Sequence, residues 1–275
     1  MLPIGSYINL KILRKTSVGL YLGNETDEVL LPNKYVPESY TIDDELTVFI
    51  YLDQQERPVA TTLKPLALCN DFASLKVNYT NQFGAFLDWG LEKDLFVPFK
   101  EQVKPFEKGK RYLVYVYLDE KTNRLAASSK VHKFLNNENL DLQPNQEVDL
   151  IVSTITDLGV NVIINKQHLG LIYKNELYTN LKIGDRLKGY IKTIRPDHKI
   201  DVSLQIQGVE SIDKNVEKVL QELKNNQGFL GLNDDSHPEE IKTVLEMSKK
   251  AFKKAVGHLY KEHKITITEK GISIT

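Results

Sequence analysis

Three copies of one pattern of hydrophobic and polar positions follow one another along the first 206 residues. Each copy contains five short runs in which apolar and polar residues alternate, separated by turns rich in Gly, Pro, Asn and Asp. Because side chains alternate between the two faces of a strand, this period of two predicts five strands in each copy. The first strands are predicted at residues 7–13, 72–78 and 148–153.

A glycine begins the second predicted strand of every copy, at Gly19, Gly84 and Gly159. The third strands are predicted at 29–32, 95–98 and 170–173, the fourth at 45–53, 110–119 and 185–194, and the fifth at 58–62, 124–129 and 199–204. Five short strands joined by turns suggest a small closed barrel. A five-stranded barrel that binds oligonucleotides across its second and third strands is the oligonucleotide/oligosaccharide-binding (OB) fold.

After residue 210 the hydrophobic period changes from two to about 3.6, which predicts helices. Val216, Val219, Leu220 and Leu223 form one apolar face of a first helix. Residues 236–239 have the spacing of a capping box, with Ser236 as the predicted cap of a second helix. Ser248 is the predicted cap of a third helix, whose inward residues are Phe252, Ala255, Val256 and Leu259. Residues 264–268 and 271–274 predict a hairpin.

The predicted fold class is therefore mainly β with a C-terminal α+β domain. We expect three OB-fold barrels at residues 1–64, 66–133 and 144–206, followed at residues 211–275 by three helices and a hairpin, which resemble a winged helix domain. In winged helix domains the third helix commonly enters a nucleic-acid groove, and this is implied here by the resemblance.

Composition narrows the functional classes. The net charge is −1, but residues 66–133 carry 11 Lys and Arg against 8 Asp and Glu, the direction expected of a surface that meets phosphates. The only cysteine, Cys69, excludes an internal disulfide. No run approaches the ~20 apolar residues that cross a bilayer. The N-terminus has no basic region before an apolar core, so we predict no signal peptide, a cytoplasmic location and no membrane partner.

The stretch 81–90 carries the candidate binding chemistry. Ala85, Leu87 and Trp89 fall on one face of the predicted strand and form the expected core. Phe86 falls on the other face, and Phe83 precedes Gly84, where the backbone is free to bend. Two exposed rings near basic side chains make a stacking platform for unpaired bases. The alternative is that both rings belong to the core, since aromatic residues favour half-buried strands.

The residues around Phe83-Gly84-Ala85-Phe86, together with 170–177 and 123–130, resemble the S1-type RNA-binding domain. The resemblance implies an RNA surface made of second-strand aromatics, a ring that ends the third strand and a basic residue where the fifth strand begins. The residues that match these positions are Phe83, Phe86, Arg124 and Lys130 in the second copy, Tyr21 in the first, and Tyr173 and Lys199 in the third.

Departures from this pattern single out the second copy. The first copy has Val18 in place of the first ring, and the third copy has Leu158 and Asn161 in place of both rings. The second copy has Val97 at the third-strand ring position, with Phe96 and Phe99 nearby. We expect the second barrel to be the strongest RNA site, and the others to bind weakly, extend the groove or act as spacers.

The third predicted helix carries the lysines Lys249, Lys250, Lys253, Lys254 and Lys261. Lys250, Lys254 and Lys261 form an outer stripe that is compatible with phosphate contacts, and equally with a solvated helix face. The helix has no Arg or Asn suited to reading base edges, which argues against sequence-specific DNA recognition. RNA bound without sequence preference and a protein partner remain as alternatives, with DNA a further one.

Catalytic chemistry is not indicated by the sequence. It contains no phosphate-binding Gly-rich loop and no Gly-x-Ser-x-Gly elbow, and His258 and His263 lack zinc-helix spacing. His168, near a predicted turn, is expected at the surface. We predict no enzyme activity, no catalytic residue, no metal and no cofactor. The accessory role that such barrels play in nucleases keeps an RNA-processing enzyme as a third hypothesis.

Three barrels followed by a winged helix resemble the conserved virulence factor B (YitL-like) family of bacterial RNA-binding proteins. The resemblance covers nearly the whole chain and rests on domain order. It implies a non-catalytic protein that holds single-stranded RNA across tandem barrels and acts in post-transcriptional regulation, including that of virulence genes. The alternative is a protein-interaction scaffold at the ribosome or a transcription complex. We expect a monomer.

Overall fold

The computed structural model describes residues 2–24, 26–177, 179–205 and 209–275, of which residues 209–213 are described by backbone alone. The chain divides into two compact units, Met1–Phe134 and Leu135–Thr275. The predicted end of the third barrel, residue 206, lies outside the described residues. The boundaries of the four predicted domains stay a prediction.

Each of the three repeats forms five strands. The first barrel consists of β1 Tyr7–Lys15, β2 Gly19–Gly23, β3 Glu28–Pro32, β4 Glu45–Leu52 and β5 Pro58–Thr61. The second consists of β6 Phe72–Asn81, β7 Gly84–Asp88, β8 Leu95–Pro98, β9 Arg111–Asp119 and β10 Arg124–Ser128. The third consists of β11 Glu147–Ile155, β12 Gly159–Ile164, β13 His168–Tyr173, β14 Arg186–Ile194 and β15 Ile200–Ser203.

All three sheets close in the same strand order: first, second, third, fifth, fourth, and back to the first. The third and fifth strands pair in parallel, and the other pairs whose register is resolved are antiparallel. This arrangement confirms the three closed five-stranded barrels. Short 3₁₀ turns follow the third strands at Asn33–Tyr35, Phe99–Glu101 and Lys174–Glu176, and another spans Val131–Phe134.

The glycine that begins each second strand is required by close backbone packing. At Gly84, φ is +159°, and a Cβ atom would lie 2.2 Å from the carbonyl oxygen of Val97 in β8. The equivalent distance is 2.1 Å at both Gly19 and Gly159. A side chain at this position would push the second strand away from the third, so the repeated glycine of the sequence is a structural requirement of the barrel.

A hydrophobic cluster inside the Met1–Phe134 unit joins Phe49, Tyr51 and Val59 of the first barrel to the core of the second. The Phe49 ring from β4 and the Trp89 ring pack edge to face, with 5.8 Å between ring centroids. The Leu66 N–H donates to the Trp89 carbonyl at 2.7 Å. Ala85, Leu87 and Trp89 are buried as predicted, but Trp89 fills the junction between the barrels as well as the end of the second one.

The C-terminal region contains α1 Val209–Asn225, β16 Phe229–Leu230, α2 Pro238–Leu245, α3 Lys249–Lys261, β17 Ile265–Thr268 and β18 Gly271–Ile274. The strands form a sheet in the order β16-β18-β17. Three helices with a hairpin confirm the winged helix prediction, and the two-residue β16 was not predicted. The inward residues of α3 are buried as predicted: Phe252, Ala255, Val256 and Leu259.

Two local predictions for this unit need correction. His237, not Ser236, caps α2: its side chain accepts from the Glu239 N–H, and Glu240 reaches back to the His237 N–H. Ser236 instead bonds Asn233 in the preceding turn. His168, the first residue of β13, was expected at the surface but is buried. Its Nδ1 contacts the Asn136 carbonyl oxygen. The capping role of Ser248 is confirmed by its bond from the Ala251 N–H.

No helix among the described residues is both long and apolar enough to cross a membrane.

Candidate nucleic-acid interface

Three rings on neighbouring strands form an aromatic ladder on the outer face of the second barrel: Tyr79, Phe86 and Phe96. Tyr79 of β6 pairs in register with Phe86 of β7, which pairs with Phe96 of β8. The Tyr79 and Phe86 rings stack with 4.5 Å between centroids and 10° between planes. Phe96 tilts against Phe86 at 5.0 Å. Phe86 therefore lies outside the barrel, as the alternation in β7 predicted.

Phe83 stands beside the ladder, on the turn that leads into β7. The Asn81 side chain accepts from the N–H groups of Phe83 and Gly84, at 2.8 and 3.3 Å, and fixes this turn. The Phe83 carbonyl accepts from the Phe99 N–H at 3.3 Å, which joins the turn to the end of β8. Phe83 is 64% exposed and Phe99 is 50% exposed. The alternative, that Phe83 belongs to the core, is wrong.

A cleft of about 840 Å³ separates the aromatic ladder from the β4–β5 turn of the first barrel. We call it the inter-barrel cleft. Its lining residues are contributed by both barrels, and include Tyr51, Leu52 and Glu56 from the first and the three ladder rings, Trp89, Lys93, Asp94 and Arg124 from the second. Its volume is in the range of ordinary ligand sites.

Two basic groups of this cleft, Arg124 and Lys93, already have partners. Arg124 forms an ion pair with Glu56 of the first barrel. The Lys93 amine donates to the Asp53 carbonyl at 2.7 Å. Burial, together with the nearby charge of Arg124, lowers the pKa of Lys93. Lys130 lies outside the cleft lining and donates to the Lys100 carbonyl at 2.6 Å. The cations expected to meet phosphate are therefore held in place by the protein.

Register shows why the second barrel differs from the other two. A β-bulge skips one residue of each first strand, after which the outer positions align across three strands. These positions are Arg14, Tyr21 and Leu30 in the first barrel and Thr154, Asn161 and Leu171 in the third. The position of Phe83 corresponds to Val18 and Leu158, which are 55% and 59% exposed. Of the three, only the second barrel carries a complete ladder.

The first barrel keeps one ring and adds a guanidinium. Arg14 lies 4.3 Å above the Tyr21 ring, and Glu28 holds it with two hydrogen bonds of 2.9 and 2.7 Å. The hydrogen bonds from Arg14 lower the pKa of the Glu28 carboxyl. Base stacking on a guanidinium plane is a known mode of RNA recognition, so this barrel retains a reduced version of the platform.

In the third barrel, Tyr173 ends β13 as predicted. Its hydroxyl accepts from Arg195, whose guanidinium also bonds the nearly buried Asp201 carboxylate at 3.0 and 2.9 Å. These hydrogen bonds raise the pKa of Arg195, those to Asp201 most. Lys199 precedes β15 and pairs with Asp197 at 2.7 Å. Tyr173 and Lys199 therefore occupy the predicted strand positions, and Arg195 is a neighbour that the sequence pattern did not indicate.

The lysines of α3 differ in what they contact. Lys250, Lys254 and Lys261 are exposed, as predicted for the outer stripe. Lys253 pairs with Asp234 at 3.3 Å. Lys249 points the other way: its half-buried amine donates to the Ser236 carbonyl at 2.9 Å and joins α3 to the turn before α2. Three of the five predicted lysines therefore place exposed positive charges on α3.

Two ladder residues escaped the sequence prediction. Tyr79 was assigned no role, and Phe96 was noted only as near Val97, which is buried. The reason is a bulge that the alternation of the sequence does not show: with Asn78 skipped, Tyr79 moves to the outer face opposite Phe86. Among the described residues, no group of three or more His, Cys, Asp and Glu is placed to hold a metal ion.

Comparison with known proteins matches the first two barrels and the C-terminal region to known domain families. Residues 4–63 and 71–130 match the S1 domain, and residues 217–274 match the CvfB-like winged helix domain. The uncharacterized protein YitL of Bacillus subtilis (strain 168) is 28% identical, over 95% of this chain and 90% of its own. Conserved virulence factor B of Staphylococcus epidermidis (strain ATCC 12228) is 26% identical, over 94% of this chain and 92% of its own.

Among solved structures, a multidomain protein with nucleic acid binding domains from Streptococcus pneumoniae TIGR4 is 25% identical. The match covers 99% of this chain and 98% of that one, with a TM-score of 0.42. The matched families are binding domains, and the two S1 domains support a nucleic-acid-binding role for the chain.

Proposed function

Because the chain belongs to the conserved virulence factor B family, we propose that it is a non-catalytic RNA-binding protein that holds single-stranded RNA across its tandem barrels. The second barrel is the principal site. Phe83 and Phe86 stack with bases, and Arg124 and Lys130 lie close to the phosphates. Its role is post-transcriptional regulation of gene expression in the cytoplasm, including that of virulence genes.

The observation that carries this proposal is the outward aromatic ladder beside the exposed Phe83. Aromatic residues that are half-buried or exposed on the second and third strands of an OB barrel provide flat surfaces for unpaired bases. The ladder lies beside Arg124 and Lys93, so a base on the rings has cations within reach of its phosphate. Tyr21 with Arg14, and Tyr173 with Lys199, extend the contact surface at lower affinity.

The test compares Phe83→Ala with a matched variant, Leu158→Ala, which removes an exposed apolar side chain from the same position of the third barrel. Binding of a ten-residue single-stranded RNA is measured by fluorescence anisotropy. Each lost stack costs about 1–3 kcal/mol, so Phe83→Ala weakens binding by roughly 5- to 160-fold and Leu158→Ala changes it little. Equal affinities for wild type and a folded Phe83→Ala/Phe86→Ala protein contradict the proposal.

A second candidate function is a protein-interaction scaffold, for example at the ribosome or a transcription complex. It is favoured by Val18 and Leu158, which place exposed apolar side chains where the second barrel has Phe83. The stripe of Lys250, Lys254 and Lys261 suits either RNA bound without sequence preference or an acidic protein surface. Capture of a defined partner that survives nuclease treatment, and is lost in a Val18→Asp/Leu158→Asp protein, supports this candidate.

A further inference from the structure

One carboxylate is built into the inter-barrel cleft beside the aromatic ladder. Asp94 is half-buried just before β8, two residues from Phe96. Its Oδ1 accepts from the Asn78 side chain at 2.8 Å. Asn78 is the residue that the bulge of β6 leaves unpaired, so the same irregularity that turns Tyr79 outward also directs the Asn78 amide to Asp94.

The other oxygen of Asp94 has no partner in the part of the chain that the structure describes. An ionised carboxylate only accepts hydrogen bonds, so this oxygen can serve a donor that enters the cleft. Burial, and secondarily the nearby charge of Asp88, raise the pKa of the Asp94 carboxyl. The charged form is therefore under-compensated in the free protein, as expected of an acceptor that is completed by a ligand.

The charge of the cleft determines which part of a nucleotide fits there. The lining holds four carboxylates and three cations: Glu56, Glu92, Asp94 and Asp119 against Lys93, Lys100 and Arg124. A phosphate deep in this space would meet more negative than positive charge. A base edge with N–H donors would meet acceptors, while its flat face contacts the aromatic ladder and its phosphate stays at the rim near Arg124.

We propose that the inter-barrel cleft receives one unpaired nucleotide whose base carries an exocyclic amino group, and that Asp94 accepts a hydrogen bond from that group. The inference rests on the proposed function, of which it specifies the ligand. Adenine, cytosine and guanine offer such a donor. Uracil has no exocyclic amino group. Its single ring N–H lies between two carbonyl oxygens, and a carboxylate repels these oxygens. Asp94 thus acts as the specificity-determining residue of a surface that otherwise binds every base by stacking.

The experiment uses nine-residue RNAs of uridine that differ only at the central position: adenosine, purine riboside, cytidine or uridine. Adenosine and purine riboside differ by the amino group alone. The full chain binds the adenosine oligomer about tenfold more tightly than the purine riboside oligomer, within the range of one base-edge contact. Trp89, the only tryptophan, lines the cleft, so its fluorescence changes when the base enters.

The decisive variant is Asp94→Asn, which keeps an acceptor for Asn78 and removes the charge. Its preference for adenosine falls to about twofold or less, and its affinity for the all-uridine oligomer rises, because the carboxylate that repels the uracil carbonyl oxygens is gone. Asp88→Asn, a half-buried carboxylate outside the cleft lining, keeps the full preference. If all oligomers bind equally well to the wild type, or if Asp94→Asn keeps the preference, the inference is overturned and the proposed function stands. If none binds, the proposed function itself fails.

Discussion

Arg124 of the second barrel is ion-paired with Glu56 of the first, across the mouth of the inter-barrel cleft. Both side chains are about half exposed. An ion pair of this exposure contributes ~0–1 kcal/mol to stability, so the pair is not needed for folding. In the proposed function the pair competes with the ligand, because Glu56 occupies the guanidinium that is assigned there to a phosphate.

Glu56→Gln is therefore expected to strengthen RNA binding. The substitution removes a competing anion and leaves Arg124 free for phosphate. The affinity for a ten-residue RNA rises several-fold at low salt, and the slope of log K against log salt steepens by about 0.7, the value for one added phosphate contact on a single strand. Titrations at four salt concentrations measure both quantities.

The matched control is Glu107→Gln, which breaks the exposed ion pair between Glu107 and Lys110 at 2.6 Å, outside the cleft lining. It removes the same charge from the same unit. Equal gains in the two variants would mean that net charge, rather than release of Arg124, controls binding.

Gly84→Ala is expected to destabilise the first unit strongly. The new Cβ would lie 2.2 Å from the Val97 carbonyl oxygen, so β7 and β8 must separate. Backbone strain of this kind costs about 1–3 kcal/mol, to which the disturbed packing adds. Gly109→Ala is the control: its φ is also positive, at +82°, but a Cβ there meets nothing within 4 Å. Urea denaturation that gives the two variants equal losses would refute the packing argument.

Asp94→Asn is expected to stabilise the protein at neutral pH. Burial raises the pKa of Asp94 above its unfolded value of 3.8, so between these two values the folded state holds more protons than the unfolded state. Stability from this group therefore falls as pH rises through that window, and the penalty is complete above the folded pKa. The neutral asparagine escapes it.

The free energies of unfolding of wild type and Asp94→Asn should accordingly differ at pH 7 and converge below pH 3.8. Urea titrations at several pH values measure the difference. A variant that is less stable than wild type at pH 7 would show that Asp94 contributes to the fold instead of being held for a ligand.

The lysines of α3 should separate into structural and surface residues. Lys249→Ala loses the bond to the Ser236 carbonyl and costs about 0.5–1.5 kcal/mol of stability. Lys250→Ala removes the same charge from an exposed position and changes stability by less than about 0.5 kcal/mol. Thermal unfolding of the two proteins makes the comparison. Similar costs would indicate that both side chains act only through the charge of the helix.

Patterns within the sequence predicted the five strands of each barrel, the three helices and the hairpin, but not the two-residue β16. Apolar alternation is a local signal, since each side chain is directed by its own backbone, and it correctly assigned Ala85 and Leu87 to the core and Phe86 to the outside. The repeated glycine was also visible, because the steric requirement at Gly84 recurs in every copy. The cap of α2 was predicted wrongly: Ser236 fits the capping pattern, but its side chain bonds Asn233 in the preceding turn, and His237 caps the helix.

The surroundings of Phe86 depend on contacts between strands that are distant in sequence. Tyr79 joins the ladder because a bulge at Asn78 shifts the register of β6 by one residue, and such a shift moves side chains from one face of a sheet to the other. The pairing of Arg124 with Glu56 and the cleft behind it depend on how two barrels pack through Phe49 and Trp89. Residues so distant along the chain meet only after folding, and no periodicity in the sequence records their contact.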